Sequence, residues 1–203
     1  YNNIINFDIS LFHLAYNNRI GFIQKLFDDG NVKAYRTNTG DAKIYGLESL
    51  VDLNFRKLIN LNPSYIFTTF FNFSLIDSKY SNSNEPGVQG KEVEFVPKYN
   101  IKTGIKFGYK NFISYLQYSY LSNQFSDSSN STESNLSGVI GLIPSYDVLD
   151  LSLNYSLGKI KFETGINNIL DNYYFTRRAT GYPGPGIIPS PPRNYYFTLQ
   201  YKF

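Results

Sequence analysis

The chain has 203 residues, no Cys, Met or Trp and one His, but 19 Tyr and 17 Phe. Without Cys there is no disulfide and no thiolate metal site, and a net charge of +3 scattered along the chain argues against a nucleic-acid partner. Mean hydropathy is −0.30, and no run approaches the ~18 apolar residues of a spanning helix, although a barrel strand crosses with ~9–11 residues, half of them apolar. The sequence starts at Tyr1, with neither Met nor a charged-then-apolar leader, so a fragment of a longer protein is expected.

Eight segments read as strands: 4–22, 33–55, 59–75, 93–109, 112–121, 144–157, 160–175 and 193–203. A strand places alternate residues on opposite faces. The first segment holds the single His13, which leaves no His cluster for zinc and no Cys–His pair, and reads as a wall or rim residue. In the third, Ile59, Leu61, Tyr65, Phe67, Thr69, Phe71, Phe73 and Leu75 share one face. Asn60, Asn62, Ser64, Thr68, Asn72 and Ser74 share the other, interrupted by Ile66 and Phe70. In the fourth, Tyr99, Ile101, Thr103, Ile105, Phe107 and Tyr109 oppose Lys98, Asn100, Lys102, Gly104, Lys106 and Gly108. Lys98, Lys102 and Lys106 form a basic ladder, and a Lys at the bilayer midplane costs ~2–4 kcal/mol, so the ladder is expected to line a lumen. The fifth carries aromatics on both faces. In the sixth, Leu149, Leu151, Leu153, Tyr155 and Leu157 oppose Asp150, Ser152, Asn154 and Ser156. The last puts Phe197, Leu199, Tyr201 and Phe203 on one face and Tyr196, Thr198, Gln200 and Lys202 on the other. Tyr65, Phe73, Tyr109, Tyr155, Tyr195 and Tyr201, near strand ends, suit interfacial girdles.

Short connections near 56–58, 110–111 and 158–159 alternate with long ones over about 23–32, 76–92, 122–143 and 176–192. Tight turns on one rim and long loops on the other is the asymmetry of outer-membrane barrels. The long connections are rich in Ser, Asn, Gly and Pro and are expected to be irregular and solvated. Asp28-Asp29 and Asp147/Asp150 read as loop charges rather than an acid/base pair, since nothing sets them against a substrate pocket. The Asn130-Ser131-Thr132 glycosylation pattern carries no weight in such a loop.

Gly165-Ile166-Asn167-Asn168-Ile169-Leu170-Asp171-Asn172-Tyr173-Tyr174 resembles the penultimate-strand signature of TonB-dependent outer-membrane receptors, G-x-N-N-L-[FL]-D-x-x-Y, with Ile169 where Leu is usual. The following segment, Arg177 to Ile187, resembles the last extracellular loop of the ferric dicitrate branch. Phe95-Val96-Pro97-Lys98-Tyr99 and Ile143-Pro144-Ser145-Tyr146-Asp147 are similar to further segments of the family, with Tyr99 where His is common. The terminal strand resembles the C-terminal strand of an outer-membrane barrel, so Phe197, Leu199, Tyr201 and Phe203 are expected to act as an assembly signal for the barrel assembly machinery.

The resemblance implies an all-β, transmembrane antiparallel barrel, with residues 1–203 supplying eight C-terminal strands of about 22. The plug domain and the earlier strands lie outside this sequence. It also implies uptake of a ferric siderophore, ferric citrate-like, energised by a TonB-type protein acting through the plug, with lipid and lipopolysaccharide around the barrel and no cofactor, bound metal or catalysis. Arg177 and Arg178 are the first ligand candidates, because a guanidinium grips carboxylates bidentately, and Tyr182 and Gln124 are further loop candidates. The same arginines could instead be solvated loop-base charges or contacts to lipopolysaccharide phosphates. Three alternatives stand beside this reading: a self-contained eight-stranded anchor or adhesion barrel, a receptor for haem, cobalamin, glycan or peptide, and a soluble sugar-binding β-sandwich.

Overall fold

The computed structural model describes residues 4–28, 32–179 and 185–203. Strands β1 (Ile5–Leu26) and β2 (Val32–Asn54) are followed by a single helical turn, α1 (Phe55–Leu58), and by β3 (Tyr65–Asn82), β4 (Tyr99–Tyr109) and β5 (Phe112–Leu121). A two-residue pair, β6 (Gln124–Phe125) and β7 (Leu142–Ile143), lies within the next loop. Then come β8 (Tyr146–Leu157), β9 (Ile160–Asn167), the pair β10 (Phe175–Ala179) and β11 (Gly186–Pro189), and β12 (Asn194–Tyr201). Eight of these form one antiparallel meander in the order β1-β2-β3-β4-β5-β8-β9-β12. Among the described residues no ladder joins β1 to β12, so these strands form an open section of wall rather than the closed eight-stranded anchor.

Register follows the alternation of side chains. Phe197 pairs with Thr164, Leu153 with Ser114, Leu116 with Ile105 and Phe71 with Val51, which strings one apolar face across the sheet. That face lies open. Phe197, Leu199 and Tyr201 keep 67%, 59% and 56% of their surface, and no second sheet covers them among the described residues, against the β-sandwich reading. The opposite phase carries Asp8, Glu48, Asn72, Lys102, Asp150 and Thr198, and the first three of these line a hollow on that side.

The apolar residues that interrupt the polar phase fill notches left by glycines. Phe70 lies over Gly104 and stacks on Tyr115 at 6.3 Å, Ile66 lies against Gly108, and Tyr196 lies over Gly165. Gly104 of the fourth segment and Gly165 of the Asn-Asn signature therefore make room for a cross-strand ring.

Five expected strand bounds are corrected. β1 runs to Leu26 rather than 22 and β3 to Asn82 rather than 75, because the β1–β2 and β2–β3 ladders continue beyond the expected ends. β3 starts at Tyr65 rather than 59, because Asn54 Oδ1 accepts from Lys57 N (3.1 Å) and caps α1, and Pro63 has no N–H for a ladder. Ile59 and Leu61 thus precede the strand. β4 starts at Tyr99 rather than 93, since Val93 and Glu94 are buried in the preceding loop and Pro97 lies just before the strand. β9 ends at Asn167 rather than 175, where Asn168 adopts a φ of +53°. The long loops are also more ordered than expected, holding β6–β7 and β10–β11.

Candidate functional site

The long connections gather at the end of the sheet opposite the short turns. Loop 83–98 folds inward, not outward. Its Val88 and Val93 pack with Ile23, Ala42, Ile44 and Tyr80 in the only cluster of buried apolar residues identified among the described residues. A bulge near residues 17–19 reverses the inward phase of β1, so Arg19 reaches the interior. There Arg19 Nη1 meets Glu94 Oε1 at 2.5 Å and donates to Tyr80 Oη at 2.7 Å, while Tyr80 Oη donates to Glu94 Oε2 at 2.7 Å. Thr39 Oγ1 donates to Tyr80 Oη at 3.0 Å. Glu94 is only 2% exposed, and this ion pair ties the loop to the tops of β1 to β3.

Loop 122–145 is tied to the same body. Ser128 N and Oγ both donate to Phe22 O, at 2.9 and 2.8 Å, and Phe95 N donates to Phe125 O at 2.8 Å. Glu92 N donates to Asn130 Oδ1 (2.7 Å), and Asn130 Nδ2 returns the contact to Glu92 O (2.9 Å). Asn130 is therefore a clasp between loops. Gln124 is buried in β6, opposite Ile143.

The hairpin β10–β11 completes the loop end. Arg178 Nη1 donates to Ser134 Oγ (2.7 Å) and Gly138 O (2.7 Å), and Nη2 donates to Leu142 O (2.8 Å). Its guanidinium also lies 5.2 Å from the Phe175 ring, and burial pushes its pKa below the ordinary value. Arg177, one residue earlier, is exposed. Tyr182 lies outside the described residues.

The Asn-Asn signature is a knot that ends β9 and aims β12. Asn168 N donates to Asp150 Oδ1 (2.8 Å), and Asn168 Nδ2 donates to Asn172 O (2.9 Å). Asn172 Nδ2 donates to Asp147 Oδ1 (3.1 Å), and Asp171 Oδ1 accepts from Arg193 N (3.0 Å). Tyr146 stacks on Tyr174 at 4.4 Å. Asp147 and Asp150 are accordingly acceptors on β8, not the loop charges expected of them.

Of the basic ladder, Lys102 and Lys106 stand on the inward face of β4, and Lys106 borders a hollow with Asp52, Phe70 and Tyr115. Lys98 precedes the strand, with Nζ 5.7 Å from the Tyr99 ring. Asp8, Glu48 and Asp52 on β1 and β2 give the neighbouring wall the opposite sign. They occupy the polar phase of the first two strands, a signal the sequence carries but which the longer loops overshadow. His13 stacks on Tyr45 at 4.5 Å on the outward face. Among the described residues no group of three or more potential metal ligands converges.

Comparison with known proteins accords with this geometry. A sequence profile of the TonB dependent receptor-like β-barrel family matches residues 1–169. The whole chain superimposes on the ferric citrate transporter FecA in its unliganded form, with a TM-score of 0.80 and 22% identity, over 29% of that chain. It also superimposes on the ferric yersiniabactin uptake receptor FyuA from Yersinia pestis (TM-score 0.72, 16% identity, 28% of that chain). The copper transporter OprC gives 0.71 at 15% identity, over 29% of that chain. The chain thus spans under a third of the length of these solved transporters and receptors. The chain belongs to the TonB dependent receptor-like β-barrel family, and its strands are a section of an integral barrel of the bacterial outer membrane.

Proposed function

We propose that the protein carrying these strands imports a ferric siderophore, ferric citrate-like, with Arg177 among its ligand contacts. The observation that carries this reading is the unequal state of the two neighbouring arginines. Arg178 anchors the β10–β11 hairpin to loop 122–145, and Arg177 is left exposed on that fixed platform. A guanidinium held in place suits the carboxylates of a multiply charged chelate. The likeness to a ferric citrate transporter and to a ferric yersiniabactin uptake receptor supports the same class of cargo.

On this reading the protein binds and passes its cargo without chemical change. A plug outside this sequence closes the lumen and engages a TonB-type partner, and the barrel assembly machinery reads Phe197, Leu199, Tyr201 and Phe203. Lys102 and Lys106, on the same inward face as the acidic strands β1 and β2, give plug or cargo a charge-graded wall to move along. The test is titration of the whole receptor with ferric dicitrate, using iron-free citrate as control. Arg177→Ala weakens ferric dicitrate binding about tenfold, the loss of charge-assisted hydrogen bonds of ~1.5–3 kcal/mol. An unchanged affinity removes Arg177 from the site.

A further inference from the structure

Among the described residues the turns of the short-turn rim carry cations and no Asp or Glu side chain. Residues 53–76, 95–126, 151–162 and 172–203 contain no Asp or Glu, and their turns and terminal strand present Arg56, Lys57, Lys110, Lys159 and Lys202. Three of these cations border one aromatic patch. Phe55 stacks on Phe67 at 5.1 Å, Tyr65 lies 4.5 Å from Tyr109, and Phe107 meets both Tyr65 and Phe67 at 6.3 Å. Tyr65, Phe67, Phe107 and Tyr109 all belong to the outward, apolar phase of β3 and β4.

The cations lie just past that patch. Lys110 Nζ stands 5.1 Å from the Tyr109 ring centroid, and Lys110 N donates to Ser64 O at 3.1 Å, which sets the β4–β5 turn beside the α1 connection carrying Arg56 and Lys57. Asp52, the carboxylate nearest to Arg56 in sequence, belongs to the inward phase and accepts from Asn6 at 3.5 Å. A cationic border on an aromatic edge of a lipid-facing wall coincides with the depth of phospholipid headgroups. In outer-membrane barrels the short turns face the periplasm.

We propose that this corner binds an anionic phospholipid of the periplasmic leaflet. Arg56, Lys57 and Lys110 hold the headgroup phosphate, and the acyl chains lie along Phe67 and Phe107. The aromatic edge selects a lipid over a soluble anion, because a free phosphate has nothing to lay against the rings.

The test uses the whole receptor in nanodiscs of phosphatidylcholine with a minor fraction of phosphatidylglycerol. Native mass spectrometry reads the lipid retained. Wild type enriches phosphatidylglycerol, and Arg56→Gln/Lys57→Gln/Lys110→Gln lowers that enrichment at least about fivefold. Lys43→Gln/Lys79→Gln, on the loop side of the same sheet, leaves it unchanged. Heat-modifiable migration confirms that each variant is folded. Three results overturn the proposal: no enrichment in wild type, equal enrichment in the rim variant, or full competition by soluble glycerol phosphate.

Discussion

Arg177 and Arg178 share one chemistry, and the backbone of β10 gives them different surroundings. Arg178 has three acceptors within 2.8 Å on loop 122–145, and its planar fork reaches Gly138 O and Leu142 O from separate nitrogens. Arg178→Ala therefore frees the hairpin from that loop at a cost of about 2 kcal/mol or more, since hydrogen bonds to a charged group contribute ~1.5–3 kcal/mol. Hydrogen exchange of residues 132–142 accelerates in this variant and stays unchanged in Arg177→Ala. Arg178→Lys does not restore protection, because a single ammonium cannot serve both carbonyls. Arg19 and Glu94 set a second residue-scale test. Arg19→Ala strands a carboxylate that is 2% exposed, and breaking a buried pair costs about 3–5 kcal/mol. Limited proteolysis within 83–98 rises accordingly. If cleavage stays at the wild-type rate, the pair does not hold the loop.

At the scale of elements, the wall depends on rings lying across glycines. A Cβ added at Gly104 would stand 2.5 Å from Phe70 Cε1 and 3.1 Å from Leu116 O. Gly104→Ala then overpacks the inward face by about 1–3 kcal/mol. The substitution costs less in a Phe70→Ala background, and the double-mutant cycle measures the difference. Equal costs in both backgrounds would place the ring elsewhere. Such pairs were half legible beforehand. Phe70 and Ile66 stood out as breaks in the polar phase, but their partners on the next strand appear only with register. Strand β5 matched its expected bounds at both ends, since turn residues Lys110-Asn111 and Ser122 bracket it. Bounds drifted where side-chain chemistry overruled alternation, at the Asn54 cap, the buried Glu94 and the left-handed Asn168, and where β1 and β3 run on beside β2 past the last clear alternation, to Leu26 and Asn82. The loop hairpins were illegible because Arg178, Ser128 and Asn130 hold them through backbone acceptors, and such contacts leave no periodic trace.

For the whole molecule, the inside and outside of an ordinary globular domain are exchanged. The continuous apolar face is the exposed one, and of the few buried apolar residues described, Ile23, Ala42, Ile44, Tyr80, Val88 and Val93 cluster under loop 83–98. A bilayer rather than a protein core must then cover Leu149, Leu151 and Leu153 on β8, and a charge placed there tests the assignment directly. Leu151 sits midway along a twelve-residue strand. Leu151→Arg in the whole receptor costs about 2–4 kcal/mol, the penalty for a cation on the lipid face at the midplane. Asn154→Arg, on the opposite phase and paired with Glu163, stays within about 1 kcal/mol of wild type. Denaturant unfolding in a fixed lipid reads both. Were the sheet packed with its leucines against protein and its polar face free, both variants would still differ, so the discriminating step is dilution into detergent of shorter chain. The Leu151→Arg penalty shrinks as the hydrocarbon layer thins, because the guanidinium then reaches water, whereas a protein-covered site keeps its penalty at every chain length.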